Sequence, residues 1–258
     1  MAKPDFGAWD RALRRHVAPG VIGGIGLNAL DYAGMATDPD YKTFLASIEN
    51  VDTQGLPKSE AYALYINAYN ALAVKMVVEN PCKKAWLGSR KPISSIKDIG
   101  TMVSPVWKRT AGILGGASVS LDDIEHERLR KPEGLERDPL LHACIVCASV
   151  SCPDLAASAY LPTTLEQQMA DNMRAFLANP AKGMALDRGA GVLRLSKIFS
   201  WFESDFVQAG GGGGTVVDFL LPYMPSADSE YVGQNKGRLK VDFFYYDWNL
   251  NGRGPPCK

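Results

Sequence analysis

Residues 59–80 have the sequence SEAYALYINAYNALAVKMVVEN, which is helical by propensity and is followed by Pro81. Apolar residues lie on almost every side of this helix, which indicates that it is buried at the centre of the fold. Asn67 and Asn70, three residues apart, lie on one face of it. A buried amide without partners costs roughly 1–3 kcal/mol. Each must therefore be hydrogen-bonded, either to a neighbouring loop or to a ligand.

Shorter signals around this helix predict both helices and strands. The pattern SLDD from Ser120 predicts a short helix at residues 121–130, and TLEQ from Thr164 predicts another. Three compact apolar runs predict strands: residues 140–148, 193–197 and 240–246. Elements mixed in this order indicate an α+β fold, with the buried helix packed on a small, mostly antiparallel sheet.

The composition supports a single large domain. At 258 residues and 46% hydrophobic content, the chain has enough apolar material for a full core. We predict that residues 51–252 form the main α+β domain and that residues 1–50 form a helical amino-terminal extension packed on it. Residues 253–258 are predicted to be a flexible tail.

The charges are balanced, which bears on the possible partners. Lys plus Arg and Asp plus Glu both number 28, so no overall field attracts nucleic acid or an anionic membrane. The longest apolar runs are much shorter than the roughly 20 residues of a membrane-spanning helix. The first residues lack the layout of a secretory signal. We expect a cytoplasmic protein that binds neither nucleic acid nor membrane, and its oligomeric state is left open.

Five cysteines occur, three of them within residues 144–152. An odd number spaced in this way does not resemble the disulfide framework of a secreted scaffold, so at least one thiol should be free. Cys257 lies beside Pro256 in the tail, and we expect it to be exposed and disordered.

Cys152 is the strongest candidate nucleophile. If residues 140–148 form a strand, the chain then turns, and Pro153 takes a first helical position with Cys152 as the cap. Unpaired backbone N–H groups and the positive end of a helix favour a thiolate. This is the arrangement that a cysteine nucleophile needs.

A nucleophile also needs a base, and the chain has three histidines. His126 follows Glu125 on the predicted short helix, where a carboxylate could orient it. His142 lies in the predicted strand, where a structural hydrogen bond to backbone is the plain alternative. We predict that Cys152 pairs with His126, and we hold Cys147 with His142 in reserve.

Three other interpretations of these thiols stay open. His142, Cys144, Cys147 and Cys152 are zinc-type ligands, although alternation along a strand would separate their side chains. Cys147 and Cys152 could form a reversible disulfide and sense redox state. All three thiols could also be buried for structural reasons only, because free cysteine is among the most buried residue types.

Six motifs together resemble a known family. They are INAYNAL (66–72), SIKDIG (95–100), SLDDIEH (120–126), HACIVCASVSCP (142–153), LSKIFSWF (195–202) and YDWNLN (246–251). In this order they resemble the domain-of-unknown-function family 547, and the resemblance runs over residues 59–251. Some relatives resemble multidomain chains with a glutaredoxin-like module, which implies thiol or glutathione chemistry.

A cysteine and a histidine on an α+β scaffold are also similar to the papain and transglutaminase superfamily, which attacks amide bonds. The order differs, because His126 and His142 both precede Cys152 and no histidine follows it. A papain-like core would therefore have to be permuted.

Together these observations predict a thiol-dependent hydrolase or transferase, or a glutathione-binding protein, that acts on a small peptide-like thiol or amide. Cys152 would be the nucleophile and His126 the base, oriented by Glu125 or Asp247, and the two asparagines could donate to an oxyanion or a ligand carboxylate. No metal and no cofactor are expected, with glutathione as a candidate ligand. The alternative is a non-catalytic interaction module with structural cysteines. The candidate ligand contacts are polar side chains of the same motifs: Asn67, Asn70, His142, Ser151 and Asp247.

Overall fold

The computed structural model describes residues 3–85, 89–130, 138–209 and 214–257, and it confirms the α+β prediction. The α-helices described are α1 (Phe6–His16), α2 (Tyr32–Thr37), α3 (Pro39–Glu49), α4 (Lys58–Glu79), α5 (Leu165–Leu177), α6 (Lys197–Trp201), α7 (Glu203–Ala209), α8 (Val216–Leu220) and α9 (Ser226–Asn235). The strands described are β1 (Val17–Ile22), β2 (Ile25–Asp31), β3 (Cys82–Lys84), β4 (Arg90–Pro92), β5 (Thr110–Leu114), β6 (Ala117–Ser120), β7 (Met184–Asp187), β8 (Val192–Leu195), β9 (Lys240–Phe243) and β10 (Gly252–Arg253). Shorter helical segments are the 3₁₀ turns Ile96–Ile99, Val106–Lys108, Pro139–Ala143 and Leu221–Tyr223 and the π-helix Asp123–Leu129.

Helix α4 is the buried central helix that the sequence predicts. Its side chains are buried almost without interruption over three-quarters of its length. The strand β5 lies directly on it, since a Cβ added to Gly112 would come within 2.5 Å of Leu72 Cδ2. At its end the Asn80 amide donates to the Met76 carbonyl at 2.8 Å, and Pro81 follows. Within the described ranges no helix combines the length and apolarity of a membrane span.

The strands form four small sheets in the described ranges rather than the single sheet of the prediction. Their orders are β1-β2-β10, β3-β4, β5-β6 and β7-β8-β9. Most pairings are antiparallel, as predicted, and the exceptions are β10 with β2 and β8 with β9. The strands described have seven residues or fewer, so each sheet covers only part of the core.

The amino-terminal extension is less helical than predicted, because it contains the β1–β2 hairpin besides three helices. Its turn uses Gly23 and Gly24, whose φ values of 59° and 82° favour glycine. Helix α1 packs on α3, with Trp9 stacked on Phe44 at 5.5 Å between ring centroids. The boundary at residue 50 stays a prediction.

The carboxyl-terminal segment is anchored, so our expectation of an exposed, disordered Cys257 is wrong. Strand β10 pairs with β2 so closely that a Cβ on Gly252 would lie 2.0 Å from the Leu30 carbonyl oxygen. Beyond it, Cys257 forms a disulfide with Cys82 in β3. Cys144, Cys147 and Cys152 are free, which confirms that thiols remain outside disulfides.

The predicted strand at residues 140–148 is wrong. The segment begins as the 3₁₀ turn Pro139–Ala143, with Asp138 accepting a hydrogen bond from the Leu140 N–H at 2.9 Å as its cap. It then continues without regular structure, and Ser149 makes one bridge to Leu250. No helix begins at Pro153 either, so Cys152 does not cap one.

Candidate active site

One cavity of about 210 Å³ brings together most of the chemistry that the sequence predicts. Its wall contains two of the three free thiols, two histidines, two carboxyl groups and a set of aromatic rings. The lining residues are Tyr69, Trp107, Leu121, Asp122, Glu125, His126, His142, Ile145, Cys147, Cys152, Ile198, Trp201, Phe202, Tyr246 and Trp248.

The chain turns sharply between the two cavity thiols. Ala148 has a φ of 55°, a left-handed conformation that costs a non-glycine residue roughly 1 kcal/mol. The turn directs the backbone N–H of Cys147 at the sulfur of Cys152, 3.2 Å away. It is held from the carboxyl-terminal side, because the Asn251 N–H donates to the Ala148 carbonyl at 3.2 Å. The strained backbone of Ala148 thus lies in the turn that brings the Cys147 N–H to the Cys152 sulfur.

The sulfur of Cys152 is surrounded by hydrogen-bond donors. Besides the Cys147 N–H, the hydroxyls of Ser149 and Tyr246 lie 3.3 Å and 3.1 Å from it. Burial would raise the pKa of Cys152, but its hydrogen bonds with Cys147, Ser149 and Tyr246 outweigh burial and lower the pKa. The thiolate form of Cys152 that the sequence predicts is therefore favoured. Its stabilisation comes from hydroxyl and backbone N–H groups, whereas the sequence had predicted a helix terminus.

The other two thiols are not activated. Cys147 is half-buried, and its hydrogen bond to Cys152 and its burial raise its pKa well above the ordinary value. Cys144 lies outside the cavity wall and donates to the Leu140 carbonyl at 3.3 Å. Burial raises the pKa of Cys144 to about 12. Cys152 is thus the thiol with the most nucleophilic character of the three.

His126 lines the cavity but does not hydrogen-bond to either cavity thiol. Its Nδ1 lies 2.7 Å from Arg130 Nη1, and its Nε2 lies 3.5 Å from Asp122 Oδ1. A guanidinium only donates, so Nδ1 accepts and is not available as a base. Burial lowers the pKa of His126, which keeps the ring neutral. The groups that orient it are Asp122 and Arg130, where we had predicted Glu125 or Asp247.

His142 belongs to a buried ionic network. Its Nε2 lies 2.9 Å from Asp205 Oδ2, and the same carboxylate accepts two hydrogen bonds from Arg130 at 2.7 and 3.0 Å. Burial lowers the pKa of His142, while hydrogen bonds from His142 and Arg130 overcome burial and hold the pKa of Asp205 well below its usual range. The ring of Phe202 stacks on His142 at 4.0 Å. Burial thus keeps His142 neutral against the opposing effect of the ionised Asp205, whose hydrogen bond orients the ring.

Glu125 is a carboxyl group of the cavity wall whose pKa lies near neutral pH. It lies on the π-helix Asp123–Leu129, a rare geometry that is frequent at functional sites. Its Oε1 is buried and has no hydrogen-bond partner. Burial raises the pKa of Glu125 to about 7. A carboxyl group in this state can both donate and accept a proton at neutral pH.

We expect Glu125→Gln to stabilise the protein at pH 8 and to change little at pH 4. The folded protein binds this proton more tightly than the unfolded chain, whose glutamate has a pKa of about 4.3. Stability from the neutral acid is therefore complete below pH 4 and is lost as the pH rises to about 7. The expected gain at pH 8 is about 2–3 kcal/mol in urea unfolding. Glu127→Gln, an exposed neighbour, is the control, and equal effects of both substitutions at pH 8 would contradict the assignment.

The asparagines predicted to bind ligand are instead occupied by loops. The Asn67 amide donates to the carbonyls of Ala63 and Tyr160 and accepts from the Tyr160 N–H at 3.0 Å. The Asn70 amide donates to the Cys144 carbonyl and accepts from the Val146 N–H, both at 2.8 Å. Neither residue lines the cavity. Of the two alternatives for these amides, hydrogen bonding to a neighbouring loop is therefore the one observed.

Ser151 and Asp247 likewise do not line the cavity. They hold in place the segment at residues 147–152, here called the thiol loop. The Asp247 N–H donates to Ser151 Oγ at 2.8 Å, and the Ser151 N–H donates back to the Asp247 carbonyl at 3.2 Å. The Asp247 carboxylate accepts from its own turn, at Asn249. Lys182, which is 2% exposed, adds a bond from Nζ to the Cys152 carbonyl at 2.8 Å.

Several residues of the site were missed by the sequence interpretation. Tyr246, Trp201 and Trp248 occur in motifs quoted for the family resemblance, so their repeated aromatic character was the available signal. For Asp205 and Ser149 the sequence contained no such signal, because their roles depend on contacts between segments that are distant along the chain. Within the described ranges no group of three or more His, Cys, Asp and Glu residues is arranged to hold a metal ion. Of the four zinc-type candidates, His142 and Cys144 are engaged with Asp205 and the Leu140 carbonyl.

Comparison with known proteins gives one match. Residues 53–177 match the family described as protein of unknown function, DUF547. The matched region contains α4, the π-helix with Glu125 and His126, and the thiol loop. No curated protein and no solved structure matches the chain.

Proposed function

We propose a function from the cavity, because the family that residues 53–177 match is described without an activity: the protein is a thiol-dependent hydrolase or transferase. Cys152 is the nucleophile and Glu125 the acid and base. The substrate is a small amide or thioester whose carbonyl enters the cavity beside Cys152.

One observation carries this proposal. The Cys152 sulfur has three hydrogen-bond partners within 3.3 Å, the Cys147 N–H and the hydroxyls of Ser149 and Tyr246, in the wall of a cavity that also holds a carboxyl group with a pKa of about 7. Donors of this kind stabilise a thiolate more than a thiol. A buried structural cysteine needs neither such donors nor a cavity.

The reaction follows from these two groups. The Cys152 thiolate attacks the carbonyl carbon, and the resulting tetrahedral intermediate expels the leaving amine or thiolate, which takes the proton of neutral Glu125. This leaves a thioester on Cys152 and a carboxylate on Glu125. The carboxylate then takes a proton from water or from an acceptor amine or thiol, which attacks the thioester and releases the Cys152 thiolate. Water as the attacking group gives hydrolysis, and another nucleophile gives transfer.

His142 is the candidate group for the proton that Cys152 loses on ionisation. Asp205 accepts from Nε2, which leaves the lone pair on Nδ1, and no described residue hydrogen-bonds to that atom. His126 lacks this property, because Arg130 occupies its Nδ1. We therefore assign to His142, in place of His126, only the proton that Cys152 loses on ionisation, and Glu125 remains the acid and base of the reaction.

The test is the pH dependence of alkylation by iodoacetamide. We expect a fast phase whose midpoint lies below the ordinary pKa of a free thiol, about 8.5. Cys152→Ser should remove this phase, whereas Cys147→Ser should keep it. Tyr246→Phe should move its midpoint up by about one pH unit, because one donor to the sulfur is lost.

His126→Ala is the matched control, because the two ring nitrogens face Arg130 and Asp122 rather than a sulfur; the midpoint should stay in place. Alkylation that begins only when the protein unfolds would defeat the proposal. So would a midpoint at the free-thiol value in the wild type.

A second candidate function is exchange with a small peptide-like thiol such as glutathione. It is favoured by the Tyr246 hydroxyl, which lies 3.1 Å from Cys152 Sγ and 3.5 Å from Cys147 Sγ and so places the thiols together. Cys152 would attack oxidised glutathione and release one glutathione thiolate. Cys147 would then displace the second, which leaves a Cys147–Cys152 disulfide. A mass loss of two hydrogens confined to this pair would support it.

The non-catalytic interaction module makes the opposite prediction for the same thiols. In that case Cys152→Ser folds normally, and neither reduced nor oxidised glutathione changes the melting temperature. A thermal-shift series with both forms therefore separates exchange chemistry from a structural role.

A further inference from the structure

Aromatic rings in mutual contact, most of them tilted against each other, form one part of the cavity wall. Tyr246 lies 4.7 Å from Trp201 and 4.6 Å from Trp248 between ring centroids, and Trp107 lies 5.9 Å from Trp248. An indole face attracts cations more strongly than a phenyl face does. The chain already uses this attraction, because the Lys97 ammonium lies 4.4 Å from the centre of Trp248.

The charged groups of the cavity wall also favour a cationic ligand. Asp122, Glu125 and the Cys152 thiolate are the groups that become negative. The described lining contains no lysine or arginine, and its two histidines are kept neutral by burial. Arg130 lies nearby but is engaged with Asp205 at 2.7 Å. Lys97 and Arg130 already lie over the rings of Trp248 and Phe202. A ligand with a positive group thus meets the exposed indole of Trp201 and the carboxylates, whereas an anionic ligand meets carboxylates of its own sign.

We propose that the cavity binds the cationic part of the substrate, an alkylammonium group held on the exposed indole of Trp201 and beside Asp122. This rests on the proposed function, since the same cavity contains the nucleophile. A volume of about 210 Å³ fits such a group. It corresponds to roughly seven waters of liquid volume.

The test uses two methanethiosulfonate reagents that differ only in the head group, a trimethylammonium ethyl and a sulfonate ethyl. In both, the protein thiolate attacks the alkylthio sulfur, forms a mixed disulfide and releases methanesulfinate, so the rates compare cation with anion at the same sulfur. Each rate is divided by the rate with free 2-mercaptoethanol. A neutral methyl reagent reports whether the thiol is reachable at all.

We expect the cationic reagent to react at least about 10-fold faster than the anionic one after this correction. Trp201→Leu should reduce the preference by about 2- to 5-fold, the range of a cation–π contact at an exposed site. Asp122→Asn should reduce it by several-fold, and Trp201 and Asp122 are both partly exposed, so both variants should fold. Tyr245→Leu, an exposed ring outside the lining, is the matched control and should leave the preference unchanged.

Two failures are distinguishable. If the neutral reagent does not reach the folded protein, the proposed function fails. If it reacts but the charged pair react equally, or the anion reacts faster, the cationic substrate is overturned while the reactive thiol stands. If the preference for the cationic reagent persists in both Trp201→Leu and Asp122→Asn, the proposed cation site is also overturned, because other residues would then cause the preference.

Discussion

Asp205→Ala is expected to lower the unfolding free energy by about 3–5 kcal/mol, the cost of breaking a buried ion pair by removing one partner. Asp205 is 2% exposed, and its carboxylate accepts from Arg130 at two atoms and from His142 at one. Removing it leaves a guanidinium and an imidazole N–H in a poorly solvated place. Urea unfolding at pH 7, followed by circular dichroism, measures the loss.

A matched surface pair gives the control. Asp171 and Arg174 form an ion pair at 2.9 Å with side chains 58% and 48% exposed. Asp171→Ala should cost less than about 0.5 kcal/mol, because solvent screens the exposed pair. Equal losses for Asp205→Ala and Asp171→Ala would mean that the buried network adds nothing to stability.

The same network predicts a pH dependence. The pKa of Asp205 is depressed in the folded state, so its contribution is complete above the unfolded value of about 3.9 and is lost as the pH falls below it. Asp205→Asn removes this contribution at every pH. The difference in stability between wild type and Asp205→Asn should therefore be constant from pH 8 to 5 and shrink below pH 4.

The sequence predicted α4 because composition alone settles it: a long segment of helix formers, apolar on all sides, has no other stable place than the core. The secondary-structure prediction was wrong at residues 140–148, where an apolar run was interpreted as a strand. The signal for the correct 3₁₀ turn was present, since Asp138 before Pro139 is a cap followed by a first-turn proline. Burial made the run apolar, and burial does not distinguish a strand from an irregular core segment.

For the site, the residue types were predicted but the reason for their activity was not. Cys152 was predicted as a thiolate through a helix that does not exist, and the donors that replace it include Tyr246, 94 residues further along the chain. His126 was chosen because it lies beside Glu125 in sequence. On the π-helix, adjacent residues diverge, and a guanidinium four residues away takes the histidine nitrogen. Such pairings depend on tertiary contacts that local patterns do not contain.

The disulfide between Cys82 and Cys257 is the second large contribution to stability that we expect. The two cysteines are 175 residues apart, so the bond ties the segment after α4 to the last residues of the chain. Closing a loop of this length removes much of the entropy of the unfolded chain, worth about 3–5 kcal/mol. It also keeps β10 against β2, a contact of only two residue pairs.

Cys257→Ser should therefore lower the unfolding free energy by about 3–5 kcal/mol under non-reducing conditions and change nothing under strong reduction. Before reduction, three of the five cysteines should titrate in denaturant, and after reduction all five. Cys144→Ser is the control, a buried thiol outside the disulfide whose loss should be independent of reductant. If five thiols titrate before reduction, the bond is not formed in the protein as isolated and the reducing compartment that we first expected gains support. If three titrate and the stability difference appears, the Cys82–Cys257 bond is formed in the isolated protein and stabilises its fold.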